Sequence, residues 1–360
     1  MSFFLAFLGF AVLIILHELG HFAAAKAVGM RVERFALFFP PLVARIRRGE
    51  TEYAVGALPL GGYVKITGMN PAEEIPAEVA HRAYYRQPVW KRVVVIAAGP
   101  LVNVVVAFLL LLVFFVAQGP TVGVNSTVDA VNAGSPAAGV LRPGDRIVAV
   151  DGVRGDTERL RAQIATHKCA GRQTAGCAAA EPAALTVVRA GREQTLRVTP
   201  NYDAETKRAL VGFTFSPVYE PQGLVEASAS SVDGMWRVTT VTVDRITALF
   251  YDAEARKEIS GIVGGYETSR QVIETSSFET VMFIFALISL SLAIINLFPF
   301  LPLDGGHIFW AVAEKLRGRA ISFHVMERAS VVGFMLVLAL FAIGLSNDIG
   351  RLQGEGFGVR

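Results

Sequence analysis

The sequence has few charged residues for its 360 positions. Lys, Arg, Asp and Glu make up 18% of the chain, against about 25% in ordinary soluble domains. Hydrophobic types make up 52%, which excludes a disordered chain and argues against a plain soluble enzyme. A net charge of only +3 gives no support to a nucleic-acid partner. The length allows two or three domains, so the placement of the apolar residues becomes the informative feature.

Long apolar runs, in contrast, are present in four places. They cover residues 3–28, 93–117, 281–300 and 329–345. Each is close to or above the roughly 20 helical residues that cross a bilayer. A buried helix of a soluble protein would explain one such run but not four. The first run also resembles a signal peptide, with Ala23–Ala25 as a cleavage site, but no basic residue precedes it. We therefore predict four transmembrane helices.

The basic residues predict the orientation in the membrane. The segment between the first two runs holds 10 Lys and Arg residues, and the short link between the last two holds four. The positive-inside rule places both of these segments in the cytoplasm. The termini and the long segment between the second and third runs then lie outside.

Cysteine is scarce, and both cysteines, Cys169 and Cys177, fall in that outer segment. An oxidising compartment would permit a disulfide that closes a small loop. Two free thiols are the alternative, and the sequence does not separate the two.

The outer segment loses its apolar continuity between residues 119 and 215. Short β-rich runs appear at residues 122–131, 146–150, 185–189 and 194–198, with a short helix from Asp156 to Ile164. The run from Gly134 to Ile147, followed by Asp151-Gly152, resembles a bacterial PDZ domain. Such domains bind an extended peptide as an added strand. A small β domain without a ligand is the alternative. A charged, amphipathic stretch at about residues 248–273 predicts a surface helix before the third run.

The first apolar run contains the sequence His17-Glu18-Leu19-Gly20-His21, an HExxH pattern. Residues four apart on a helix share one face, so the two imidazoles can supply two ligands of a tetrahedral zinc site. Glu18 can then serve as the general base that activates water. Polar residues inside an apolar helix are costly unless they pair or bind a ligand. A polar cluster bonded to a neighbouring helix is the alternative.

A catalytic zinc site needs a third protein ligand, and Asp304 is the leading candidate. It follows the third apolar run, where Pro299 and Pro302 are expected to break the helix and Gly305-Gly306 to free the backbone. His307 competes for the same role and ranks second.

Taken together, these patterns resemble the site-2 protease family of intramembrane zinc proteases, and within it the RseP-type bacterial branch with PDZ domains. The HExxH pattern, the Asn…Pro…Leu-Asp-Gly run and the PDZ-like insertion carry this resemblance. It implies a Zn²⁺ cofactor with His17, His21 and Asp304 as ligands and Glu18 as catalytic base. Asn296 matches a polar residue of the family. Its expected role is to hydrogen-bond the substrate backbone or an oxyanion, and an interhelical hydrogen bond is the alternative.

The resemblance extends to the segments around the second run. Gly56–Lys65 resembles the family's membrane-associated β-loop beside the active site, which implies that Gly61, Gly62 and Tyr63 contact the substrate. Gly99-Pro100-Leu101-Val102-Asn103 matches the start of the family's second span. The chain departs from the best-known pattern in having room for one clear PDZ copy rather than two.

The predicted fold is a polytopic α-helical membrane protein with four transmembrane helices, an inserted extracytoplasmic PDZ-like α+β domain and a membrane-associated β-loop. The predicted segments are a first helix at 1–29, the β-loop region at 30–92, a second helix at 93–118, the PDZ-like domain at 119–215, a linker with the amphipathic helix at 216–279, a third helix at 280–310, a cytoplasmic link at 311–328, a fourth helix at 329–346 and a tail at 347–360.

The implied function is that of a protease of the bacterial inner membrane that cleaves single-span proteins within the bilayer. An anti-sigma factor or a remnant signal peptide would be typical substrates. The expected partners are such substrates, the lipid bilayer and a peptide in the PDZ groove, with no nucleic acid. A membrane metal transporter would show internal repeats, which this sequence lacks. A catalytically silent PDZ-bearing scaffold would have no use for Glu18.

Overall fold

Two units make up the fold, one built from both ends of the chain and the other from its middle. In the computed structural model, the first unit comprises residues 1–117 and 223–359, and the second comprises residues 118–222. The second unit is therefore inserted into the first, close to the segment predicted as a separate domain at 119–215. The structure describes residues 2–70, 73–132, 134–204, 206–249, 251–252, 255–256, 259–275, 277–319 and 321–353.

The elements are numbered in chain order. The described helices are α1 (Ser2–Ala27), α2 (Val89–Ala117), α3 (Thr157–Ala165), α4 (Leu224–Ala248), α5 (Ile262–Thr275), α6 (Phe278–Asn296), α7 (Asp304–Arg317) and α8 (Phe323–Gln353). The described strands are β1 (Val32–Arg48), β2 (Thr51–Ile66), β3 (Thr121–Val131), β4 (Arg146–Val150), β5 (Val153–Arg154), β6 (Ala183–Arg189), β7 (Arg192–Val198), β8 (Asn201–Asp203), β9 (Arg208–Leu210) and β10 (Phe213–Tyr219).

Four helices of the first unit, α1, α2, α6 and α8, are long and apolar enough to cross a membrane. Several of their large apolar side chains are exposed, among them Phe4, Leu101 and Phe334. Such exposure is expected where side chains face lipid rather than water. The prediction of four transmembrane helices is confirmed, and the chain is a multi-pass membrane protein.

The third span is shorter than the segment predicted at 280–310. Helix α6 ends at Asn296, and Asp304 begins a separate helix, α7, that reaches into the predicted link at 311–328. Pro299 and Pro302 lie in the connection, where they have no N–H for a continuing helix. The helix is broken as expected, but the break follows Asn296, whereas the predicted third helix extended to residue 310.

The glycine pair after Asp304 has a different role from the one predicted. Gly305 and Gly306 lie in the first turn of α7, not in irregular backbone. A methyl group at Gly305 would collide with the backbone of Leu297 and Phe298, just after α6 ends. Glycine at this position therefore allows the start of α7 to pack closely against the end of α6.

Strands β1 and β2 form a hairpin whose register shifts divide it into four rows. Residues 32–37 pair with residues 62–66 on one side and with residues 52–55 on the other, while residues 44–48 pair with residues 51–55. Residues 62–66 therefore form one edge of this sheet. We call them the edge row.

The base of the hairpin packs against α1 and α2. The buried residues that share this core are Ala25, Met30, Val32, Ile66, Tyr84, Val95 and Ile96. In the turn between the strands, Glu50 accepts hydrogen bonds from Arg82 at 2.7 and 2.9 Å and from Lys26 at 2.6 Å. Arg82, which has the larger effect, and Lys26 together lower the pKa of Glu50 to about 2. The carboxylate that holds the turn is therefore ionised at neutral pH.

The segment before the third span differs from the single helix predicted at 248–273. The structure has α4, which ends where the prediction began, and α5 at 262–275. Residues 250, 253–254 and 257–258 of the predicted helix lie outside the described residues. Met235 and Val238 of α4 pack against the buried cluster of Ala107, Leu290 and Ile294, so α4 belongs to the helix assembly of the first unit.

A buried carboxylate joins α8 to the start of α5. Asp348 is 0% exposed and accepts hydrogen bonds from the backbone N–H groups of Gly261 and Gly264 at 3.1 and 2.7 Å. The hydroxyl of Ser260 donates to the same carboxylate at 3.2 Å. Backbone N–H groups at a helix N-terminus favour a negative charge, so this contact fixes the first turn of α5.

The second unit is a mixed α+β fold. Its main sheet has the order β10-β3-β4-β6-β7, with β5 paired to β4, and β8 and β9 form a separate pair. All four predicted β-rich runs are strands. The predicted short helix is α3, with Asp156 as its N-cap accepting from the N–H of Arg159 at 2.9 Å.

Cys169 and Cys177 are joined by a disulfide bond, with their Cα atoms 6.0 Å apart. The structure thus has the bridge, not the two free thiols. The closed loop is held to β8, since the N–H of Gly176 donates to the carbonyl of Tyr202 at 2.8 Å. The N–H of Tyr202 in turn donates to the carbonyl of Cys177 at 2.8 Å.

Candidate metal centre

Two buried imidazoles face each other on α1. His17 and His21 are 7% and 6% exposed, and their Nε2 atoms lie 3.3 Å apart. Their spacing of four residues places both rings on the same side of the helix. The apolar helix therefore presents two nitrogen donors at one point, as the HExxH pattern predicts.

The first residue of α7 brings a carboxylate to this point. Oδ2 of Asp304 lies 3.3 Å from Nε2 of His17 and 3.3 Å from Nε2 of His21. The three atoms form an almost equilateral triangle. Ligands about 2.0–2.1 Å from a tetrahedral zinc ion are separated from one another by about 3.3 Å. The triangle has the dimensions of one face of a zinc tetrahedron, with the fourth corner left for another ligand.

The hydrogen bonding of Asp304 also fits a cation. Its Oδ2 is buried and has no hydrogen-bond partner among the described residues. A buried carboxylate oxygen without a donor or a cation is costly. A divalent ion within the triangle would satisfy this atom together with both imidazole nitrogens. Within the described part of the chain, this is the only group of three His, Cys, Asp or Glu residues with suitable spacing.

His307, the second-ranked candidate for the third ligand, is not part of this group. It lies within α7, one turn after Asp304, and is half-buried. The ligand atoms that converge are those of His17, His21 and Asp304, which we call the ligand triad.

Helix α2 contributes the outer hydrogen-bond partners of both imidazoles. Nδ1 of His21 lies 2.9 Å from the carbonyl oxygen of Val95. Because a carbonyl only accepts, Nδ1 carries the proton and Nε2 keeps its lone pair for a metal. Nδ1 of His17 lies 3.2 Å from Nδ2 of Asn103. The sequence identified Asn103 only as part of the second span and gave no signal that it meets His17.

A glycine makes room for the His21 ring. A methyl group at Gly99 would collide with Nε2 and the ring carbons of His21. One at Gly20 would lie 2.5 Å from the carbonyl oxygen of Ala98. Glycine at both positions allows α1 and α2 to approach closely enough for α2 to reach the imidazoles.

Glu18 lies beside the edge row of the hairpin. A methyl group at Gly62 would lie 2.9 Å from Cγ of Glu18 and 3.4 Å from a methyl carbon of Ile14. The edge row therefore begins directly against the turn of α1 that carries Glu18. An outer edge of the hairpin and the side chain of Glu18, the only acidic residue of the HExxH pattern, are thus neighbours.

The other residues predicted to contact substrate fall in the same part of the hairpin. Gly61 has φ of +152°, a conformation that glycine adopts without strain. The ring of Tyr63 stacks on Phe39, with centroids 5.9 Å apart and an interplanar angle of 16°. The Tyr63 hydroxyl accepts a hydrogen bond from Arg34 at 3.2 Å.

Asn296 is the last residue of α6 and is half-buried. Its side chain makes no hydrogen bond with another described residue. The packing of Gly305 against Leu297 brings the end of α6 and the start of α7 together, so Asn296 and Asp304 occupy neighbouring helix ends.

An ion pair between a buried arginine and a half-buried glutamate fixes the helix that carries Asp304. Both terminal nitrogens of Arg92 donate to the carboxylate of Glu314, at 2.9 and 2.7 Å. Arg92 lies near the start of α2 and is 8% exposed, while Glu314 lies near the end of α7. This bidentate contact joins α7 to the same helix that supports both imidazoles.

Comparison with known proteins identifies the family. Residues 5–340 match Peptidase family M50. A protein of Clostridium acetobutylicum is 29% identical over 97% of this chain and 98% of its own length. One of Nostoc is 31% identical over 92% of this chain and 91% of its own length. One of Agrobacterium fabrum is 28% identical over 96% and 94%.

Each of these three relatives carries the name "Putative zinc metalloprotease". The family match covers nearly the whole chain, including the HExxH helix and the first turn of α7. The chain therefore belongs to Peptidase family M50, the site-2 protease family of membrane-embedded zinc metalloproteases.

Proposed function

We propose that this protease hydrolyses a peptide bond within the transmembrane segment of single-span membrane proteins. The observation that carries the proposal is the triangle of ligand atoms, 3.3 Å on each side, at one end of an apolar helix. The edge row of the hairpin lies against the side chain of Glu18. A hydrolytic centre beside a peptide-binding edge, both within a four-span membrane unit, suits a substrate that is itself in the membrane.

The ligand triad would hold the zinc ion. When bound, zinc supplies positive charge that polarises a peptide carbonyl and favours ionisation of water. Glu18 is positioned to take a proton from the attacking water and to deliver it to the leaving amine. Asn296, with its side-chain amide unpaired, would donate a hydrogen bond to the carbonyl oxygen as negative charge develops there.

A transmembrane helix hides its peptide bonds because each carbonyl is hydrogen-bonded within the helix. The substrate must therefore unwind locally before hydrolysis. The edge row, from Gly62 to Ile66, offers backbone groups with which an unwound segment can pair as an added strand. Gly61 and Tyr63 would lie along this segment. Pairing there would bring the substrate backbone beside Glu18.

The second unit would be a PDZ-like domain on the extracytoplasmic side of the bacterial inner membrane. The positive-inside rule and the disulfide between Cys169 and Cys177 support that placement. Its role would be to exclude substrates whose outer domain has not been removed by another protease, and its groove would be able to bind a peptide. An anti-sigma factor or a remnant signal peptide has the required single span.

The decisive experiment compares the wild-type protein with Glu18→Gln, both purified and reconstituted with a single-span substrate. The amide keeps the size of the carboxylate but does not act as a base, so cleavage should fall by about 10²–10⁴-fold. Zinc content should stay at the wild-type level because Glu18 is not in the ligand triad. Glu158→Gln, on α3 of the second unit, is the matched control and should cleave normally. Wild-type cleavage by Glu18→Gln would show that the assigned base is wrong.

A further inference from the structure

We infer that Asn103 is a positioning residue that holds His17 in the tautomer and orientation needed to bind zinc. This inference rests on the proposed role of His17 as a zinc ligand. Asn103 does not itself belong to the ligand triad, and it would touch neither metal nor substrate.

Asn103 is placed where its side chain can act only on neighbouring protein groups. It is 0% exposed, in the middle of α2, and its amide nitrogen lies 3.2 Å from Nδ1 of His17. Its amide oxygen is buried without a hydrogen-bond partner among the described residues. An unpaired buried amide oxygen costs free energy, so this arrangement is not the most favourable one for the pair.

Zinc binding would change which group His17 needs from Asn103. An imidazole that binds a metal through Nε2 carries its proton on Nδ1, which is then a donor and needs an acceptor. A half-turn of the Asn103 amide exchanges its oxygen and nitrogen without moving the backbone. The oxygen then accepts from Nδ1–H of His17. The amide thus has one orientation suited to metal-free His17 and another suited to the metal-bound tautomer.

The two imidazoles differ in this respect. His21 donates to the backbone carbonyl of Val95, which accepts in every state, so the neutral imidazole keeps its lone pair on Nε2. His17 faces a group that can either donate or accept. The side chain of Asn103 therefore decides whether the second imidazole is ready for the metal.

The backbone at Asn103 is fixed independently of its side chain. The hydroxyl of Ser289, on α6, donates to the main-chain carbonyl of Asn103 at 2.9 Å. This bond ties α2 to the helix that leads towards Asp304, and a substitution at Asn103 leaves it intact. Ser289→Ala is therefore a control variant: it removes this contact between α2 and α6 but keeps the Asn103 side chain beside His17.

The test measures how fast zinc leaves the purified, zinc-loaded protein in the presence of excess chelator. Asn103→Leu keeps the number and branching of the side-chain heavy atoms without an acceptor, and zinc should leave about 10–100-fold faster. Asn103→Asp keeps an oxygen acceptor and should retain zinc at least as long as the wild type. Ser289→Ala should release zinc at the wild-type rate. A melting experiment in detergent confirms that each variant is folded, and Asn103→Ala replaces the leucine variant if that variant is not.

The outcomes are distinct. The inference would be overturned if Asn103→Leu released zinc at the wild-type rate. It would also be overturned if Asn103→Asp released zinc as fast as Asn103→Leu. Either result would show that a hydrogen-bond acceptor at position 103 does not control zinc retention. In the first of these cases, the proposed function would still hold if the wild-type protein binds zinc and cleaves substrate. A wild-type protein that binds no zinc would instead overturn the proposed function, and the inference with it.

Discussion

Gly99 has no side chain, and the ring of His21 occupies the space that one would need. The same ring is held from its other nitrogen by the carbonyl of Val95. The imidazole is therefore confined on two sides by α2. Confinement of this kind fixes a metal ligand without any direct bond between α2 and the metal.

Replacing Gly99 with alanine should displace His21 and weaken zinc binding. The added methyl group would collide with Nε2, the atom assigned to the metal, so zinc affinity should fall by about 10-fold or more. Zinc content after dialysis against a weak chelator measures this effect. Gly234→Ala in α4 is the matched control, because nothing lies within 4 Å of its added methyl group. Full zinc retention by Gly99→Ala would contradict the assigned position of His21.

At the residue scale, the sequence predicts what is local and misses what depends on helix crossing. His17, Glu18 and His21 form a pattern within two turns of one helix, so their shared face follows from helix geometry. Asn103 and Gly99 acquire their roles only because α2 crosses α1 at these positions. Nothing in their immediate sequence indicates which histidine each would meet.

Among the helices, α7 determines where the third ligand lies. Asp304 begins this helix, and Glu314 near its other end is bound by Arg92 of α2. The direction of α7 is therefore set at a distance from the metal centre. A small rotation of the helix would move Asp304 away from the two imidazoles.

Glu314→Ala should destabilise the protein and hasten zinc loss. It leaves the guanidinium of Arg92 buried without its carboxylate, at a cost of about 3 kcal/mol. Thermal melting in detergent and zinc release to a chelator measure the two effects. Glu193→Ala, which removes the partner of the exposed Arg154, is the matched control and should cost less than about 1 kcal/mol. Similar melting temperatures for the two variants would contradict this anchoring role.

The same scale shows why one helix was missed. The membrane-spanning helices are long apolar runs and could be read directly from the sequence. Helix α4 is rich in Ser, Thr and Val, whose helix propensity is low, and the packing of Met235 and Val238 against buried residues of α2 and α6 stabilises it. The length of α6 was overestimated because apolar residues continue beyond Asn296, through the proline-containing connection.

For the whole molecule, the insertion of the second unit is the dominant feature. Its two ends lie together, since the N–H of Glu220 donates to the carbonyl of Pro120 at 3.3 Å. The composition change and the turn patterns of the sequence predicted the unit and nearly its boundaries. The order in which its strands pair could be determined only from the structure, because the sequence of a short strand does not indicate which strand it pairs with.

Replacing residues 120–220 with a short Gly–Ser linker should leave the membrane unit folded, because the linker joins ends that are already adjacent. We expect this variant to cleave a substrate with its outer domain attached, whereas the wild type should cleave only the trimmed form. Gel analysis of both substrates with both proteins tests the expectation. The same deletion combined with Glu18→Gln is the control for contaminating proteases. Continued rejection of the untrimmed substrate would show that selectivity resides elsewhere.

The ligand triad joins two residues of α1 to a residue that lies 283 positions after His21. Until α7 has been synthesised, the two imidazoles of α1 have no Asp304 carboxylate opposite them. Under the proposed assignment, a chain that stops before α7 would lack the third ligand and should hold zinc poorly, so its hydrolytic activity should be lost.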